Sequence, residues 1–170
     1  MTMQADELRA IQAPLKQQYR EHPETALIPA RAEGSLDPND IAISVDGWAG
    51  KVVAGLHKAG GGSGKEACSA DMLLEAVVGC AGVTLRAVAT AMGVTIRGGK
   101  VIAEGIWDAR GTLAIDRNAP VGLTEVTLRF DVDCDADAAK LERMIQTTER
   151  YCVVLQTLKN PPKVSVVIGG

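Results

Sequence analysis

Aromatic residues are scarce. Two tryptophans, two tyrosines and one phenylalanine make up 3% of the 170 residues. That scarcity removes the base-stacking platforms on which single-strand nucleic-acid binders rely. The formal net charge is only −3, with acidic and basic residues interspersed, so the electrostatic footprint of a nucleic-acid binder is also missing. There are two histidines, His22 and His57, and the four cysteines contain no CxxC pair. No metal-ligand cluster follows from such spacing, and no zinc site is expected. Residues 1–23 lack the basic-then-apolar pattern of a secretion signal, which makes the cytoplasm the expected compartment.

What is present is one long apolar stretch. Residues 69–93 read SADMLLEAVVGCAGVTLRAVATAMG. Ser69 offers a capping hydroxyl, and Asp71 puts a negative charge where the helix dipole favours it. Gly93 follows the last helical residue, where a left-handed conformation usually closes a helix. The pattern predicts a helix from Asp71 to Met92, roughly 33 Å long at 1.5 Å per residue. Its charges are Asp71, Glu75 and Arg86, and residues 76–85 carry none. A helix that is apolar all round lies in a protein core or a membrane. A span needs about 20 apolar residues, so the expectation is a core helix without a membrane, wrapped by the rest of the chain and helped by a partner subunit.

Residues 59–66, AGGGSGKE, invite a nucleotide-binding reading and fail its test. A P-loop requires glycine where Ala59 stands and serine or threonine where Glu66 stands. The composition is that of a connector.

Around the helix the pattern is mostly that of strands. An arm over residues 6–20 carries Leu8, Ile11, Leu15 and Tyr19 on one helical face, interrupted by Pro14. Residues 26–43 read as a strand or strand pair turning at Asp37-Pro38-Asn39-Asp40, and 41–45 alternate before a turn at Asp46-Gly47. A further strand over 51–57 completes an antiparallel meander. Beyond the helix, strands are expected over 95–107, with a bend at Gly98-Gly99, over 111–115, and over 123–132, where Val126, Leu128, Phe130 and Val132 alternate with polar residues. Asp135 or Asp137 caps a helix that runs to about Tyr151, with Ala138, Leu141, Met144, Ile145 and Thr148 facing inward. Pro161-Pro162 stops the following segment, and residues 164–168 form a last strand. The order predicts an α+β fold with an antiparallel sheet and helices gathered on one face, residues 1–25 being an arm and 26–170 the domain.

The cysteines are Cys68, Cys80, Cys134 and Cys152. In a reducing compartment reactive thiols are expected rather than structural disulfides. On the residues alone, Cys80 is either a small packed side chain or a redox thiol. Cys134 lies among Asp133, Asp135 and Asp137, a field that disfavours a thiolate, and is expected to be inert. Cys68 is expected to be a packed side chain, with a third redox residue as the alternative. Arg86 is expected to pair with Glu75 on the same helix.

Two stretches resemble the OsmC/Ohr family, the osmotically inducible and organic-hydroperoxide-resistance proteins. Residues 69–80, SADMLLEAVVGC, are similar to that family's motif leading into its first cysteine, and Glu149-Arg150-Tyr151-Cys152 is similar to its second-cysteine site at the end of the last long helix. The likeness covers roughly residues 26–168. This chain has Ser69 in place of a frequent proline, Val153 where the usual members have proline, and Ala70 where the peroxidases have an acidic residue, with Asp71 one position on.

The resemblance implies an OsmC-like fold built as an intertwined homodimer, with sheets wrapped around the long buried helices and the active site at the subunit interface. It implies a cysteine-based peroxidase that reduces organic hydroperoxides in defence against oxidative stress. Cys80 would attack and Cys152 resolve, with an external dithiol as reductant and no bound cofactor. Cys80 lies mid-helix, where burial raises a thiol pKa, so a cation is expected close to it. The family takes that cation from its N-terminal strand region, which makes Arg31 the candidate, Arg20 the alternative and Asp71 a group that could orient it. A reading of another class is a non-catalytic dimer that binds an apolar ligand or a partner at its interface pocket.

Overall fold

The helix expected around Cys80 is the longest element of the structure, a computed structural model that describes residues 3–47 and 50–169. In chain order the elements are α1 (Ala5–Glu21), β1 (Glu33–Leu36), β2 (Ala42–Gly47), β3 (Gly50–Gly55), β4 (Ala67–Cys68), α2 (Ser69–Ala91), β5 (Ile96–Trp107), α3 (Ala109–Thr112), β6 (Leu123–Cys134), α4 (Ala138–Tyr151) and α5 (Val153–Lys159). The chain divides into two compact units. One comprises Met1–Arg9, Ala76–Ile102 and Arg129–Gly170; the other comprises Ala10–Glu75 and Ala103–Leu128.

The first unit holds most of the buried core. Val77, Ala81, Leu85 and Ala89 recur every four residues along α2, so they share one helix face, and all four are buried. Leu85 and Ala89 pack with Val94 and Met144, joined by Phe130, Val132, Leu141 and Ile145. Of the α4 positions expected to face inward, Leu141, Met144, Ile145 and Thr148 do so, while Ala138, in the first turn, is exposed. Asp137 caps α4, accepting from the Lys140 N–H at 2.7 Å. Asp135 instead accepts the Thr95 N–H at 2.8 Å, which decides between the two expected caps. Gly93 closes α2 at φ 62°, with the Val94 N–H reaching the Ala89 carbonyl at 2.9 Å.

The α2 helix was expected to be wrapped on all sides, and in this chain it is not. Its remaining stripe, Ala76, Gly79 and Val83, is exposed, Val83 to 72%. A Cβ added at Gly79 would meet no atom within 4 Å. By length and composition α2 could cross a membrane, contrary to the reading of its sequence, but its Val77–Ala89 face is packed into protein.

The second unit contains a four-stranded sheet in the order β1-β2-β3-β4. The first three strands form the expected antiparallel meander, Glu33 opposite Asp46 and Ala42 opposite Gly55. The Asp37 carboxylate makes the first turn by accepting from the N–H groups of Asn39 and Asp40. The two-residue β4 runs parallel to β3, so this sheet is mixed rather than wholly antiparallel.

β5 and β6 form a second sheet of two strands. Arg97 reaches Asp133, and the Thr124 hydroxyl reaches the Ile106 carbonyl, the pattern of opposed chain directions. Gly99, at φ 145°, lets the strands close up, because a Cβ there would stand 2.2 Å from the Asp131 carbonyl oxygen. Two expected strands are absent. Residues 109–112 form the short α3 instead, because the Asp108 carboxylate accepts the Arg110 N–H and binds its guanidinium. Residues 164–168 run without a hydrogen bond to any described residue, and Val166 and Ile168 are 92% and 99% exposed.

Candidate active site

Cys80 and Cys152 lie 72 residues apart in sequence, and the first unit brings them together. Cys80 sits midway along α2, half-buried. Cys152 is wholly buried at the junction of α4 and α5. Each thiol acts on the ionisation of the other, Cys152 as the donor to Cys80. All four cysteines are free thiols.

The Cys80 environment differs from expectation. Burial alone would push its pKa up. Against that, its sulfur accepts hydrogen bonds from the Val154 N–H, the Cys152 thiol, the Val153 N–H and the Thr84 hydroxyl, and the net effect holds the pKa below the ordinary thiol value. Cys152 moves the other way. Burial raises it most; the N–H of Leu155 opposes that, but giving its hydrogen to Cys80 and facing Cys80 charge raise it further. The pair is thus split into a thiol that ionises readily and a thiol that keeps its proton, the division of labour that an attacking and a resolving cysteine need. The donors that act on Cys80 are neutral, two main-chain and two side-chain, where a cation was expected.

The reason lies in the backbone at Cys152. The α4 helix ends at Tyr151; Cys152 takes φ −73° and ψ 105°, an extended conformation, and α5 begins at Val153. An interruption of this kind frees the first N–H groups of the new helix from intrahelical bonding. In sequence, residues 153–155 show only as a segment stopped by Pro161-Pro162. The apolar VVL followed by QTLK and Asn160-Pro161-Pro162 was the available signal for a short terminated helix.

The other expected site residues lie elsewhere. Arg31 stands just before β1, exposed, and its guanidinium binds Glu33 at 2.6 Å. Arg20 is in the last turn of α1, and Asp71 is in the first turn of α2, exposed. All three belong to the second unit, and the two cysteines to the first. Arg86 does not pair with Glu75; it donates to the Ile96 carbonyl at 3.1 Å. Cys68 lines a cavity of about 400 Å³ in the second unit with Leu56, His57, Leu73, Trp107 and Leu123. There His57 meets Trp107 edge-on at 5.4 Å, and its Nδ1 accepts the Ala59 N–H. Among the described residues no group of acidic, histidine or cysteine side chains could hold a metal ion.

The family model for OsmC-like protein matches residues 62–167. The chain belongs to the OsmC-like protein family. That span includes both Cys80 and Cys152. Solved structures share the fold at low identity. An OsmC-like protein from Mycoplasma pneumoniae superposes with a TM-score of 0.67 at 14% identity, covering 79% of this chain and 90% of its own. An OsmC-like protein of unknown function from Vibrio cholerae gives 0.63 at 13%, over 77% of this chain and 94% of its own. The organic hydroperoxide resistance protein OhrB of Bacillus subtilis gives 0.52 at 13%, over 79% and 93%. No curated protein matches the sequence significantly.

Proposed function

We propose that this OsmC-like chain is a thiol-dependent peroxidase that reduces organic hydroperoxides to alcohols. The observation that carries the reading is the Cys80–Cys152 pair brought together in one unit, Cys80 held below and Cys152 above the ordinary thiol pKa. The hydroperoxide resistance protein among the structural neighbours supports the substrate class.

The Cys80 thiolate attacks one peroxide oxygen and the O–O bond breaks. The alkoxide leaves, takes a proton and becomes the alcohol, and Cys80 becomes a sulfenic acid. The Cys152 thiol then displaces water from that sulfenic acid, giving a Cys80–Cys152 disulfide. Exchange with an external dithiol restores both thiols and oxidises the dithiol. In the same reading Arg31 approaches the thiolate with Asp71 orienting it, which requires Arg31 to leave Glu33.

The functional form in this reading is a homodimer. The exposed Ala76, Gly79 and Val83 stripe of α2 offers small residues over which a second helix can approach closely. The uncovered apolar tail 164–168 is a second segment that a partner's sheet edge could pair.

The test is turnover of an organic hydroperoxide, and separately of hydrogen peroxide, with a dithiol. The wild type is expected to prefer the organic substrate, Cys80→Ser to be inactive, and Arg31→Gln to lose kcat/KM. A wild type no faster than Cys80→Ser on either peroxide removes the peroxidase reading. The reading is then a non-catalytic dimer that binds an apolar ligand or a partner at its interface pocket.

A further inference from the structure

The N–H groups that reach Cys80 are available only because the helix stops at Cys152. In an uninterrupted helix the Val153 N–H would bond to the Glu149 carbonyl and the Val154 N–H to that of Arg150. Here neither of those bonds forms; both N–H groups instead favour the Cys80 thiolate, and the Glu149 carbonyl is left without its helical partner. That carbonyl is filled from further along. The Gln156 side-chain amide donates to it at 2.9 Å, partly buried, while the Gln156 backbone N–H bonds to the Cys152 carbonyl. The Lys159 ammonium pairs with the Glu149 carboxylate and ties the same two helices again.

We propose that Gln156 is a positioning residue: its side-chain amide occupies the Glu149 carbonyl, holds the α4–α5 break open, and so keeps the Val153 and Val154 N–H groups on Cys80. The inference rests on the reading of Cys80 as the reacting thiol, and it assigns Gln156 no contact with substrate. An orphaned carbonyl in a half-buried helix end would otherwise favour recapture of the Val153 N–H. Charged groups of the packed elements are already engaged. Glu149 binds Lys159, Arg150 lies over the Tyr151 ring at 5.7 Å, and Arg86 of α2 bonds to Ile96. Cys152 is the titratable group in contact with Cys80.

The experiment measures the pH dependence of iodoacetamide alkylation at the Cys80 peptide by mass spectrometry, so it needs no peroxidase activity. Gln156→Met keeps the side-chain length and removes the donor; its midpoint is expected about one pH unit above the wild type. Gln156→Lys, which retains a donor, is expected near the wild-type midpoint. A folded Gln156→Met with an unchanged midpoint overturns the proposal, whether or not the hydroperoxide assay succeeds. Should Gln156→Met fail to fold, the wild type decides by NMR. The amide protons of Val153 and Val154 and the Gln156 side-chain amide are expected to move as Cys80 ionises. Resonances that stay still overturn the proposal.

Discussion

At Cys80 the balance between burial and hydrogen bonding decides the chemistry. Burial favours the thiol; four donors favour the thiolate, and they prevail. The sign follows directly. Because the pKa is lowered, alkylation at Cys80 stays fast below the ordinary thiol pKa and declines only as pH falls through the lowered value. Val153→Pro tests the main-chain share of this effect. Proline is well tolerated at a first helical position but has no N–H to give, so α5 should persist while one donor is lost. The expected outcome is an alkylation midpoint raised by roughly 0.5 to 1 pH unit, with circular dichroism unchanged. Cys152→Ser should allow one rapid reduction of hydroperoxide and then stall, with the Cys80 sulfenic acid trapped by dimedone. Intact dithiol-driven cycling in Cys152→Ser would remove Cys152 from its resolving role.

At the scale of elements, the chain's helices were easier to read than its strands. The buried spacing of α2 and the 141–148 face of α4 follow from the 3.6-residue period. The cap could be narrowed only to Asp135 or Asp137, because both precede the helix; which carboxylate meets Lys140 and which meets Thr95 depends on the neighbouring strand. Asp137→Ala should therefore cost about 1 kcal/mol of stability, read from urea unfolding. The alternating residues of 111–115 suggested a strand, but Asp108 captures Arg110 and starts a helical turn, a local bond that hydropathy does not register. The cysteine pair was legible through two motifs. Its activation was not, since main-chain donors leave no residue type to recognise, and a search for a cation leads to Arg31, which Glu33 holds in this structure.

At the scale of the whole molecule the uncovered apolar surface matters most. Val83→Glu places a charge in the exposed α2 stripe without disturbing the buried Val77–Ala89 face. It should convert a sedimenting dimer to monomer, and an unchanged dimer would show that this stripe is not the contact. The two units also differ in what each buries. Among the described residues, Val77, Ala81, Leu85, Ala89, Val94, Met144, Thr148 and Cys152 are buried in the first, and Ala54 in the second. A unit with so thin an interior has little to resist opening, and subunits of obligate dimers often lack a stable folded monomer. In a dimer that covers it, the consequence is a dependence on abundance. In dilute solution, or just after synthesis, residues 10–75 and 103–128 would be the part a protease cuts first, and rising concentration of the chain itself would be its protection.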